Sequence, residues 1–405
     1  MRLPLSRRVR ARRARARSFS TAPFSTAPFS IEPLESRFAL AAMPAAAAPT
    51  VAGPATVEIP LERVTVGDQQ RFAVTASVAG GPMVPYLLDT GSSGMFVARY
   101  QFQPSDYTTV KTEGQAQRTF DQHYTSGIHY AGTVIETTLV FQAANRTTVS
   151  GPKVRIGAID TASGSSLVAD WQRNIAAGTP PYDGRFWGTM GISLVPGDAK
   201  KQGNLYTVVA QMPGNLSTGF IIHTGGTAGA SPTLTLGLTP GNSRGFSTIP
   251  LPAASASQST YGEGNGAANG VKAWNDKGGV LTYKLVSGAV TYTVKAASIF
   301  DTGEPATVFY TGTSKAWVRG VPPGFVTQGA VNANVRFSAS IPDTKAWTFT
   351  AGTRPNVDQI LVGKLRLSKA HGDKNLPDVN TGLGIFFRYD VRYDMRRGTI
   401  GFRPV

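Results

Sequence analysis

Leu87-Leu88-Asp89-Thr90-Gly91-Ser92-Ser93 and, in the second half of the chain, Ile299-Phe300-Asp301-Thr302-Gly303 place two apolar residues ahead of the same Asp-Thr-Gly tripeptide. One copy would read as an ordinary turn. Two copies in a repeated framework do not. Before the first, Phe72, Val74, Ala76 and Val78 alternate with Arg71, Ala73, Thr75 and Ser77. Gly80-Gly81 then turns the chain, and Met83 to Leu88 runs apolar into Asp89. Before the second, Leu281, Tyr283 and Leu285 alternate, Ser287-Gly288 turns, and Tyr292, Val294 and Ala296 lead through Ile299-Phe300 into Asp301. Period-two alternation broken by turn residues predicts a β-hairpin in each half, with an aspartate at a strand end. A second matching pair, GTMGISL at Gly188–Leu194 and TGLGIFF at Thr381–Phe387, follows in the same order, which aligns Gly191 with Gly384.

Two aspartates brought to about 3 Å cannot both ionise, so one becomes a base while the other keeps a proton. Building such a pair takes two turns meeting face to face. Glycine permits the close approach and hydroxyls hold the carboxylate oxygens. Asp-Thr-Gly supplies all three ingredients, which makes Asp89 and Asp301 the candidate catalytic residues.

On these motifs the sequence resembles the pepsin family of aspartic peptidases. The C-terminal run Leu383-Gly384-Ile385-Phe386-Phe387-Arg388-Tyr389, followed by Gly401-Phe402, is similar to the end of that family, so the resemblance spans about Val57 to Val405. It implies an all-β, bilobal fold of two related β-barrel-like lobes with an active-site cleft between them. The implied activity is endopeptidase hydrolysis of a peptide or protein substrate by a water held between the aspartates, with no cofactor and no metal. By the same resemblance Ser92 donates to the outer oxygen of Asp89, Thr90 and Thr302 form a buried scaffold, and Gly91 and Gly303 donate backbone N–H groups to the carboxylates. Tyr124, in Tyr124-Thr125-Ser126-Gly127, matches the substrate-binding tyrosine of the family's flap hairpin. The alternative is a catalytically impaired protein of this fold that binds peptides or glycans at the cell surface.

Two positions depart from the pattern. Glu304-Pro305 stands where a Thr or Ser is expected after the second Asp-Thr-Gly, and Phe96 stands where tryptophan is common. A third carboxyl beside the pair raises its titration by repulsion, donates the missing hydrogen bond if protonated, or turns to solvent and leaves Asp301 under-supported.

The rest of the chain bounds these readings. At 405 residues it is long for one hydrophobic core and suits two. We expect an N-terminal targeting or disordered segment at 1–52 and lobes at 53–248 and 249–405, with the small, polar run from Ala253 to Gly270 as an exposed insertion near their junction. The composition, 41% hydrophobic and 16% charged with 45 glycines and 27 prolines, suits a β protein with many turns. The formal charge of +16 falls by half without the eight arginines between Arg2 and Arg17. That basic head lacks interleaved aromatic residues, so no nucleic-acid partner is expected. It precedes the short apolar stretch Phe38-Ala39-Leu40-Ala41-Ala42, and the segment resembles the LEPLE-R-type sorting signals of exported planctomycete-like bacterial proteins. Export to the cell envelope or medium is the expectation, with no stable membrane insertion and a monomeric chain. The sequence contains no cysteine, which excludes a thiolate nucleophile and a disulfide. No Gly-x-Ser-x-Gly stands at a strand–helix turn, so a serine nucleophile is discarded. The four histidines are scattered, and His123 and His129, six apart on the expected flap, read as strand or surface residues rather than a metal site.

Overall fold

The computed structural model describes residues 55–99, 103–111, 117–197, 203, 205–226, 231–255, 271–312, 325–327, 330–353, 358–364 and 376–405. The N-terminal segment and most of the insertion after Ala253 lie outside them. The described residues are mainly strands, with Trp171–Ala176 the one α-helix among them. No helix among them is long and apolar enough to cross a membrane.

The strands form a bilobal molecule of two sheets, one of 14 strands and one of nine. Both expected hairpins are present. Gln69–Val78 pairs antiparallel with Val84–Asp89, and Gly279–Ser287 with Val290–Ile299. The alternating residues explain why: Phe72, Val74, Ala76 and Val78 are buried on one face, as are Leu281, Tyr283 and Leu285 in the second hairpin. Each aspartate-bearing strand then meets a later strand in parallel. Leu87, Leu88 and Asp89 lie opposite Thr189, Met190 and Gly191, whereas Ala297, Ser298 and Ile299 lie opposite Asp378, Val379 and Asn380.

This register corrects the alignment read from the sequence. Asn380 occupies the place of Thr189, so Gly382, not Gly384, corresponds to Gly191. The match between GTMGISL and TGLGIFF fails because the second stretch is not a strand: Gly382–Phe387 winds into a 3₁₀ turn whose side chains are all buried. Apolar residues with small neighbours fit either conformation when both are buried, so composition alone does not separate them.

Strands from both ends of the chain share the larger sheet beneath the aspartates. Val57–Val66 pairs first with Thr233–Leu236 and then with Gln69–Val78, while Tyr389–Asp394 pairs with Gly219–His223 and Thr399–Pro404. From this platform the Tyr393 hydroxyl donates to the carbonyl of Phe300, one residue before Asp301, at 3.0 Å. The larger sheet is thus hydrogen-bonded to the loop that carries Asp301.

Candidate active site

Thr90 and Thr302 build the floor reciprocally. The backbone N–H of Thr90 donates to Thr302 Oγ1 at 3.1 Å and that of Thr302 to Thr90 Oγ1 at 2.9 Å. Each hydroxyl then donates across to the carbonyl ahead of the opposite aspartate, Thr90 to Phe300 at 2.6 Å and Thr302 to Leu88 at 2.8 Å. Both threonines are buried, so all four groups would be costly to leave unpaired. The symmetry of these bonds fixes the two aspartate loops face to face.

The carboxylates meet above that floor. A Cβ added to Gly91 would stand 2.4 Å from Asp301 Cγ, and one added to Gly303 would stand 2.7 Å from Asp89 Cγ. Only glycine allows this approach. Asp89 Oδ1 accepts from the backbone of Gly91 at 2.8 Å and of Ser92 at 3.1 Å, and Oδ2 accepts from the Ser92 hydroxyl at 2.6 Å. Asp301 Oδ1 accepts from the backbone of Gly303 at 2.8 Å. Its Oδ2 accepts from Asn380 Nδ2 at 2.7 Å. Asn380 therefore fills the role that the missing hydroxyl at position 304 leaves open, and Asp301 is not under-supported. Asn380 is itself anchored, its Oδ1 accepting from the backbone of Gly382 at 2.9 Å.

Burial, followed by repulsion from Asp301, pushes the Asp89 carboxyl up to about 7, against the opposing effect of its hydrogen bonds to Ser92 and Gly91. Glu304 is also pushed up to about 7, by burial and then by Asp301, with Arg71 acting in the other direction. At acid pH Glu304 is thus a neutral acid beside the pair. It lines both the main cleft, of about 670 Å³, and a side cavity of about 210 Å³ that also contains Arg71, Tyr182 and Tyr124.

Tyr124 sits at the tip of the hairpin Thr119–His123 and His129–Gln142, where its backbone closes the turn to Ile128 at 2.8 Å. Phe96 meets its ring edge-on at 6.5 Å and Tyr130 does so at 5.5 Å. Phe96 offers packing but no N–H. The buried Tyr124 hydroxyl lies beside those of Ser92 and Thr189 without closing a hydrogen bond of normal geometry.

Besides Asn380, sequence reading missed Asp276. This buried carboxylate, next to the cleft-lining Asn275 and Lys277, accepts from the Ser193 hydroxyl at 3.0 Å and the Leu194 backbone at 2.5 Å. It pins the end of the strand opposite Asp89. Burial raises it to about 6, opposed first by Lys277.

These raised carboxyls set the direction of a stability change. A folded-state pKa above the unfolded value means that the folded chain holds its proton more tightly. Stability from Asp89, Asp276 and Glu304 is then complete below about pH 4 and is lost as pH rises through about 6–7. Asp276 alone, whose charged form burial disfavours, accounts for a loss on the order of a few kcal/mol as it ionises. The melting temperature should fall between pH 4 and 8, and Asp276→Asn should flatten that fall. Calorimetric scans across this range test it, and a Tm that rises with pH would contradict it.

No protein-family model matches the chain, and no curated protein matches it. Among solved structures, the fold is similar to the aspartic proteinase from Irpex lacteus, with 16% identity, 87% of this chain and 98% of that chain covered, and a TM-score of 0.52. It is also similar to Basic 7S globulin from soybean, with 14% identity, 86% and 96% coverage, and a TM-score of 0.49. The bilobal β architecture is thus a pepsin-like fold.

Proposed function

We propose that this chain is an aspartic endopeptidase in which Asp89 and Asp301 share one proton and activate a water against a peptide carbonyl. The observation that carries the reading is the near-twofold support of the two carboxylates. Each has a backbone N–H on one oxygen and a side-chain donor on the other, above a reciprocal threonine floor. A purely structural pair of turns has no use for two carboxylates held in contact, one of them buried, because their mutual repulsion costs stability.

The chemistry follows from the shared proton. The ionised carboxylate takes a proton from the water as its oxygen attacks the carbonyl carbon, and the protonated partner gives its proton to the carbonyl oxygen. Collapse of the resulting diol breaks the C–N bond as the nitrogen receives the proton taken from the water and a diol hydroxyl gives its proton to the carboxylate that had protonated the carbonyl oxygen. The pair returns to its one-proton state. An extended peptide fits the cleft, with Tyr124 covering the scissile bond and the side cavity taking one substrate side chain. Export of the protein is part of the same proposal and rests on the N-terminal sequence.

Cleavage of a denatured protein substrate by the full chain across pH 3–7 tests the reading. Activity strongest in acid and lost in Asp89→Asn and Asp301→Asn supports it. Folded protein that cleaves nothing at any pH favours the binding-protein alternative. A finer test addresses Asn380. Asn380→Ala removes the side-chain donor to Asp301, a hydrogen bond to a charged group worth about 1.5–3 kcal/mol. The expected loss in kcat/KM is roughly 10- to 150-fold, and an unchanged value would show that Asp301 is oriented without it.

A further inference from the structure

The tip of the flap hairpin gathers three side chains that peptide hydrolysis does not use. Along Thr119–His123 burial alternates, with Phe120 and Gln122 inward and Asp121 and His123 outward. The register then sets His129 directly opposite His123. Two residues on one strand and one across from them share an outer face, which a spacing of six along the chain does not reveal.

Solvent-facing positions require only polar side chains, so convergence is the informative feature. Asp121 Oδ1 lies 3.1 Å from His123 Nε2 and contacts His129 Nε2, and the three donor atoms fall within 4.8 Å of one another. The two imidazoles stack with centroids 4.1 Å apart and planes within 9°. Ser163 Oγ lies 3.5 Å from His129 Nδ1, which leaves the other ring nitrogen turned to Asp121.

We propose that Asp121, His123 and His129 form a three-ligand site for a divalent transition-metal ion of the zinc type. Two imidazole nitrogens and a carboxylate oxygen suit such an ion, and tetrahedral bonds of about 2.0–2.1 Å hold ligand atoms roughly 3.3 Å apart. The 3.1 Å separation of Asp121 and His123 fits that span, and the stacked imidazoles must turn out of parallel for both nitrogens to point at one ion. Asp121 and His123 are well exposed, so a fourth position opens to solvent and an entry path exists. An ion bound there joins the two strands at their last pair before the turn. Because His123 also lines the cleft and precedes Tyr124, the ion stiffens the segment that covers substrate. This last consequence rests on the endopeptidase reading, whereas the site itself does not.

The test reads binding rather than cleavage, so its failure and that of the peptidase reading are distinguishable. Titration of the full chain with Zn²⁺ at pH 7.5, followed by calorimetry, should show one saturable site per chain. His123→Gln and His129→Gln should each weaken it by more than ~10-fold, the loss that removal of an outer-shell partner already produces. His223→Gln, on a strand far from the hairpin in the sheet order, should leave it unchanged. Amide exchange across 119–133 should slow on adding Zn²⁺. No saturable binding, or binding that survives both substitutions at full strength, overturns the proposal. His123 is on the exposed face, so its variant separates loss of the ligand from loss of the fold.

Discussion

Asp89→Asn and Asp301→Asn should each lower kcat for peptide cleavage by at least roughly 10²–10⁴-fold, the range attributable to a positioned acid or base. They should nevertheless differ in stability, and that difference tests the geometry independently of the chemistry. In Asp89→Asn the amide oxygen keeps the backbone donors of Gly91 and Ser92. The amide nitrogen then faces the Ser92 hydroxyl, which can rotate to accept. A carboxyl whose charge burial disfavours has also been made neutral. The Tm at pH 7 should be unchanged or higher. In Asp301→Asn the oxygen stays with Gly303, so the new amide nitrogen meets Asn380 Nδ2, donor against donor. Asn380 cannot flip to relieve this without surrendering the Gly382 backbone bond. A destabilisation of about 1–3 kcal/mol follows, the cost of an unsatisfied buried polar group. Thermal unfolding of the two variants beside their cleavage rates checks both halves, and appreciable cleavage by either variant would remove that aspartate from the mechanism.

The contrast between Ser92 and Asn380 shows what sequence reading reaches. Asp89, Thr90, Gly91 and Ser92 are four consecutive residues, and the hydrogen bonds from Ser92 to Asp89 span only three positions. Local geometry is encoded locally, so the motifs carried both aspartates, both threonines and the donors Gly91, Ser92 and Gly303. Asn380 reaches Asp301 across 79 positions and depends on the parallel register of Asp378–Asn380 beside Ala297–Ile299. Nothing within the motif at Asp301 specifies it. The gap at Glu304 was visible, but the side chain that fills it was not. Asp276 was hidden for the same reason, since its partners Ser193 and Leu194 lie more than 80 residues away. His123 and His129 are six apart, and only the hairpin register turns that spacing into a cross-strand pair. Hairpins and the two-lobed plan were legible because alternation and turn residues act over short range, whereas a buried 3₁₀ turn at Gly382–Phe387 has the same apolar composition as a strand.

Gly91→Ala should abolish cleavage as completely as loss of an aspartate, although it removes no functional group. The argument is steric. The added Cβ would stand 2.4 Å from both Asp301 Cγ and Oδ2, far inside any contact a real Cβ makes. Asp301 has nowhere to retreat, because Gly303 and Asn380 hold its two oxygens and the threonine floor holds the loop beneath it. Relief must come from separating the loops, which breaks reciprocal buried hydrogen bonds at a cost of about 1–3 kcal/mol for overpacking of this kind. Gly303→Ala should act in the same direction, with its Cβ 2.7 Å from Asp89 Cγ. Binding of an extended peptide in a cleft of about 670 Å³ does not need the two carboxylates in contact, so affinity for an uncleaved peptide should fall much less than kcat. Kinetics and peptide binding measured on the same variant separate the two effects. A Gly91→Ala chain that keeps more than half its cleavage rate would mean that the carboxylates do not work as a touching pair. Equal losses in binding and cleavage would instead assign the closeness of the loops to holding the cleft together.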